Sequence, residues 1–195
     1  MTDRHRLPSL AFRPLTRSRW ADFERLFGER GACGGCWCMW WRLRRSEFER
    51  TKGDRNRRMM KKIVESGRTP GILAYSGRQP VAWVSVAPRE DFPVLGRSRI
   101  LKPIDDAPAW SIVCFFIRKD YRRRGMTGRL IQAAVEHAAR NGARIVEAYP
   151  IDPKKDEVPA VFAFTGFASA FRRAGFQECA RRSPTRPIMR HTVKA

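Results

Sequence analysis

Trp-Ser-Ile-Val-Cys-Phe-Phe-Ile-Arg-Lys-Asp-Tyr-Arg-Arg-Arg-Gly-Met-Thr-Gly-Arg-Leu-Ile, residues 110–131, decides how the rest of the chain is read. Its β-branched and aromatic run, Ile112 to Ile117, predicts a buried strand. After the turn at Arg122–Gly128, Leu130, Ile131, Ala134, Val135 and Ala138 recur at helical spacing, and Asn141-Gly142 ends that helix. Arg144 to Tyr149 then predicts a second strand. Two strands joined by one helix form a βαβ unit, for which parallel pairing and a right-handed crossover are expected. At the strand-to-helix junction the first helical amides lack internal partners and carry the positive end of the helix dipole. Gly125 and Gly128 let a backbone approach an anion there, and Arg122, Arg123 and Arg124 surround the place with positive charge. A glycine-bearing helix start taken alone is as well explained by a plain chain reversal.

The junction resembles the acyl-CoA-binding motif of the GNAT N-acetyltransferase superfamily: a strand, then Arg/Gln-x-x-Gly-x-Gly/Ala, then a helix. The match reads Arg122-x-x-Gly125-x-Thr127, with Gly128 next and Leu130-Ile131 as the aliphatic pair; Thr127 stands where the family prefers a smaller residue. Phe171-Arg172-Arg173-Ala174-Gly175-Phe176 is similar to the family's helix-ending signature. The resemblance implies an α/β (α+β) fold, a mixed and mostly antiparallel sheet with a splayed parallel strand pair, flanked by helices. It implies acetyl-CoA as cofactor, with the diphosphate at Arg122, Arg123, Arg124, Gly125, Met126, Thr127, Gly128 and Arg129, and with Phe171 also beside the cofactor. The pantetheine would bond to backbone at Phe115, Phe116 and Ile117. The family's usual proton-transfer groups are missing: Ser111 aligns with its glutamate base, Phe171 with its tyrosine acid and Phe164 with its asparagine. Tyr149 is the candidate acid in their place, and Ser111 a second catalytic candidate. Glu147, Asp152 or Glu157 would feed a water chain to the amine. The implied activity is acyl-CoA-dependent N-acylation of an unidentified amine, by direct transfer in a ternary complex. A non-catalytic acyl-CoA-binding or nucleic-acid-associated module is the alternative.

Composition bounds these readings. A chain of 195 residues with 43% hydrophobic content suits a single domain over 1–195 with a proper core and a basic arm at 1–9. No apolar run is long enough to span a bilayer and no signal-peptide run follows the N-terminus, so a cytoplasmic protein away from membranes is expected. The net charge of +21 favours anionic partners, nucleic acid among them, but the arginines are spread along the chain rather than gathered in one tail. A homodimer is compatible with all of this.

Residues 31–42 are the oddest stretch, Gly-Ala-Cys-Gly-Gly-Cys-Trp-Cys-Met-Trp-Trp-Arg. Cys33, Cys36 and Cys38 invite a zinc reading, but tetrahedral zinc wants a fourth ligand and no second pair follows, so no metal is expected. A Gly-Gly turn feeding a short helix would put Trp37, Trp40 and Trp41 on one face, as the wall of the acceptor pocket. Cys114 reads as strand packing and His137 as a solvent-facing helical residue. Elsewhere, helices are expected over 16–27, over 46–66 with a break at Gly53-Asp54, and over 160–174. Strands are expected at 11–15, 71–75, 80–86, 176–181 and 187–193, with a long loop over 87–109 carrying Arg89, Asp91 and Asp105.

Overall fold

The computed structural model describes residues 9–153 and 163–193; the basic arm expected over 1–9 lies outside them except for Ser9, as do Asp156 and Glu157. Seven strands form one sheet in the order β1-β2-β3-β4-β5-β7-β6. They are β1 (Leu10–Pro14), β2 (Gly71–Ser76), β3 (Gln79–Pro88), β4 (Trp110–Ile117), β5 (Ile145–Ala148), β6 (Gln177–Arg181) and β7 (Pro187–Thr192). Only β4 and β5 run parallel; the other neighbours are antiparallel. The mixed, helix-flanked sheet expected from the sequence is the one observed.

The parallel pair is short. Trp110, Ser111 and Ile112 face Val146, Glu147 and Ala148, and β4 then runs on to Ile117 with β3 as its only strand neighbour. The cause lies on the β3 side. Ser85 pairs with Cys114 but Val86 pairs with Ile112, so Val113 is an extra residue on β4. A bulge of this kind bends and twists its strand, and here it falls where β4 and β5 part.

Helix α5 (Met126–Arg140) covers one face of the sheet together with α6 (Ala168–Arg173). Leu130, Ile131, Ala134 and Ala138, the apolar stripe seen in the sequence, are fully buried against Ile112 and Val146. His137 is a correction: it lies on that stripe, is 6% exposed, and meets Trp110 edge-on at 5.7 Å. Burial pushes its pKa down, favouring the neutral ring. On the opposite face α1 (Trp20–Phe27) sets Phe23 and Phe27 against Trp83. Helices α2 (Arg45–Thr51) and α3 (Asp54–Glu65) are separated at Lys52-Gly53, close to the expected break. The long loop after β3 holds a short helix, α4 (Pro93–Arg97); of the helix expected over 160–174, Ala163–Thr165 form a single tight turn and Ala168–Arg173 are α-helical.

The Cys/Trp segment does not form the expected helix. Trp37 and Cys38 have left-handed φ values of 42° and 60°, so the segment is a chain of turns. Its path is fixed by a backbone docking: the Gly35 carbonyl accepts from the Gly53 amide (2.9 Å) and from Nδ2 of the buried Asn56 (3.2 Å). Gly35 has φ +73°, and a Cβ there would lie 2.5 Å from the Gly53 nitrogen. The turns send Trp37 one way, into the core beside Phe27 (5.8 Å, stacked) and Phe23, and Trp40 and Trp41 another. Cys38 is buried beneath them and its Sγ accepts from Trp83 Nε1 at 3.2 Å. The neighbouring Cys114 thiol, with help from Trp83 and the Arg42 charge, holds the Cys38 thiol down at about 7 against the effect of burial. The Cys38 sulfur beside it, and burial, push Cys114 well up.

Two outcomes follow from this packing. Phe23→Ala should lose about 3–5 kcal/mol in denaturant unfolding, since Phe23 is fully buried among four aromatic rings. Between pH 7 and 9 the unfolded chain keeps the Cys38 proton that the folded chain has lost, so stability should rise with pH across that window. Unfolding under reducing conditions should show a rise on the order of 1–2 kcal/mol, and Cys38→Ser should flatten it.

Candidate active site

The turn into α5 is built for an uncapped helix start. Arg123 (φ +58°) and Gly125 (φ +73°) are both left-handed, and no side chain caps the first amides. Those amides border a groove of about 290 Å³ lined by Gly125, Thr127, Gly128, Gln132, Ser169 and Arg173. An uncapped N-terminus flanked by arginine is suited to an anionic ligand. The groove gathers only part of the set expected from the sequence. Arg122 ties the loop to the sheet, its Nε donating to the Ile117 carbonyl at 2.8 Å. Met126 buries its side chain in the core, so that residue offers backbone alone. The Arg129 guanidinium sits over Phe12, 5.8 Å from the ring centroid. Phe171 is fully buried between Phe115 (6.0 Å) and Phe176 (5.1 Å), not on the groove wall. Gln132 and Arg173 had been passed over; Gln132 stands one turn after Gly128 on the same face, and Arg173 ends the Phe-Arg-Arg segment.

Beyond Ile112, β4 has lost its parallel neighbour, and Phe115, Phe116 and Ile117 lie on this stretch. The chain after β5 returns to make one parallel bridge, Ile151 with Phe167. Around that bridge the molecule is hollow on two sides. Phe167 lines the groove by α5, while Ile151 and Phe164 line a larger cavity of about 550 Å³. Trp40, Trp41, Phe48 and Leu101 also line that cavity, with Arg45 and Arg186 as its charged members among the described residues. Of the three tryptophans expected there, Trp37 is absent, for the backbone reason given above.

Next to this cavity, in the cluster that also holds Trp41, Val113 and Leu101, lies Tyr149. Its hydroxyl donates to Glu147 Oε2 at 2.6 Å and is 3.0 Å from the Ser111 hydroxyl. The two catalytic candidates are therefore in contact, and both are fully or almost fully buried. Glu147, 1% exposed, also receives Arg89 Nη1 (3.0 Å) and Arg190 Nε (2.8 Å). Arg190 continues to Asp105 and holds that carboxyl down at about 2. Burial, then the Glu147 charge, pushes the Tyr149 pKa up, so the phenol keeps its proton. Glu147 is thus a clamped anion joining β5, β7 and the long loop. Among the described residues, no group of three His, Cys, Asp or Glu could hold a metal ion, and no helix is long and apolar enough to cross a membrane.

Similarity to known proteins agrees with this layout. No curated relative matches the sequence. Solved structures share the fold at low identity. An acetyltransferase of the GNAT family from Streptococcus agalactiae superposes with TM-score 0.56 at 12% identity, covering 95% of this chain and 96% of that one. A GNAT-family acetyltransferase from Listeria monocytogenes gives 0.54 at 10% identity with the same coverage. The PaiA N-acetyltransferase from Thermoplasma acidophilum, in complex with coenzyme A, gives 0.52 at 12%, covering 95% and 99%. The family model described as acetyltransferase (GNAT) family matches residues 37–167, which span the second half of the Cys/Trp segment, the parted strands and the uncapped helix, and the chain belongs to that family.

Proposed function

We propose that the protein moves an acetyl group from acetyl-CoA to an amine bound in the larger cavity, by direct attack within a ternary complex. The observation that carries this is the hollow on either side of the parted strands: an anion-binding groove on one, an aromatic cavity on the other. The diphosphate would take the free amides of Met126, Thr127 and Gly128 with Arg173 beside them, and pantetheine would run along the vacated edge of β4. Coenzyme A in the related PaiA structure supports the same ligand here. Backbone amides near the Val113 bulge are suited to stabilise the tetrahedral oxyanion.

The amine must be neutral when it attacks. Among the described residues no carboxylate lines the cavity, whereas Arg45 and Arg186 do. The Arg186 guanidinium lowers the pKa of a bound ammonium, so its proton passes to water without a dedicated base. Tyr149, the acid candidate from the sequence, would have to leave a tyrosinate beside Glu147 to protonate the thiolate. We therefore assign Tyr149 and Ser111 to holding the end of the parallel pair.

Gly128 tests the cofactor side without threatening the fold, because a Cβ there would meet nothing within 4 Å. Gly128→Glu should raise KM for acetyl-CoA roughly tenfold or more by putting a like charge at the diphosphate, with Tm little changed. An unchanged KM would count against this placement. Tyr149→Phe should lower Tm and leave kcat within about threefold; a loss of about a hundredfold, as for a general acid, would restore Tyr149 as the proton donor.

A further inference from the structure

Resting on the reading just given, the larger cavity says something about the acceptor itself. Its walls are mainly rings and branched aliphatics, among them Trp40, Trp41, Phe48, Phe164 and Leu101. Such a surface is complementary to an apolar body and offers little to a chain of alcohols or amines. Among the described residues its charged members are both positive. Arg45 stacks its guanidinium on Trp40 (4.7 Å to the centroid) and is already paired with Glu49 at 3.1 Å. Arg186 differs: among the described residues its side chain bonds only to the hydroxyl of buried Thr165, Nη1 to Oγ1 at 2.9 Å. Desolvation pulls its pKa below the usual arginine value without making it neutral. A part-buried guanidinium held by a neutral hydroxyl is stabilised by an incoming anion through charge-assisted, fork-like bonds.

We propose that the acceptor is an amine with a large apolar body that also carries a carboxylate, and that Arg186 receives the carboxylate while Trp40, Trp41 and Phe164 hold the body. Polyamines and lysine-rich peptides are disfavoured by the same wall, since each extra positive charge would meet Arg45 and Arg186. The net charge of +21 adds long-range attraction for an anionic acceptor.

The test uses amines matched in body and differing in the carboxylate: phenylalanine with phenethylamine, tryptophan with tryptamine, leucine with isopentylamine, and spermidine as the polycation. Thiol release from acetyl-CoA gives kcat/KM for each, and calorimetry of N-acetylphenylalanine and its amide on CoA-saturated protein gives binding without turnover. The carboxylate member of at least one pair should be preferred roughly tenfold or more, the scale of one charge-assisted hydrogen bond. Arg186→Met should reduce that preference to about threefold or less with KM for acetyl-CoA unchanged, and Arg186→Lys should keep part of it. The proposal is overturned if the carboxylate-free amine or spermidine is preferred in the wild type, or if Arg186→Met keeps the preference. It is equally overturned if no carboxylate member is turned over and N-acetylphenylalanine does not bind. If coenzyme A itself fails to bind, the acetyltransfer reading falls first; if CoA binds and another amine is acetylated, only the assignment of the acceptor falls.

Discussion

The structure turns on the parting of β4 from β5 after Ile112. A strand edge left without a neighbour inside a domain exposes polar backbone that needs another partner. In this protein the extra residue Val113 bends β4, and beyond β5 the chain pairs with itself through Ile151 and Phe167 before β6 and β7 rejoin the sheet on the far side of β5. The gap between β4 and β5 is suited to an extended ligand. The uncapped start of α5 lies at one side of that gap and the tryptophan-lined cavity at the other. Fold and candidate site are thus one feature: the irregularity that opens the sheet lies between the groove and the cavity.

Keeping the gap in shape falls to a buried ionic cluster. Glu147 sits on β5 just before the strands diverge, and Arg89, Arg190 and the Tyr149 hydroxyl hold it from the long loop, β7 and its own strand. Removing one member of such a cluster leaves an uncompensated buried charge, which is far costlier than the net contribution of the intact set. The cluster is therefore better suited to rigidity than to proton transfer, and its members need not coincide with the groups that touch substrate. Arginine elsewhere plays the opposite part: at Arg173 and Arg186 it borders cavities in a form ready to meet anions.

Much of the fold was legible because it is written in local periodicity. The run from Ile112 to Ile117, the stripe from Leu130 to Ala138 and the stop at Asn141-Gly142 each fix one element, and together they fix a parallel pair. The groove residues Gly125, Thr127 and Gly128 were legible from the glycine-bearing helix start and its resemblance to the family motif. What was not legible depends on contacts distant in sequence. The course of the Cys/Trp segment is set by Gly35 docking on Gly53 and Asn56, which no spacing within 31–42 reveals. That docking separates Trp37 from Trp40 and Trp41, and it places Cys38 beside Cys114 from the middle of another element. His137 and Phe171 were misread because a polar or motif residue on a buried stripe looks the same in sequence as one facing a ligand. Arg186 gave no sign at all among so many arginines.

The central claim is that coenzyme A fills the opening between the parted strands and rests on the start of α5. Amide hydrogen exchange with and without coenzyme A tests it directly, because the ligand would take up backbone groups that the fold leaves open. Protection should increase in residues 113–117 and 126–128, with little change in the β1–β2 pair. Binding with no protection in either segment, or with protection confined to another part of the chain, would contradict the account.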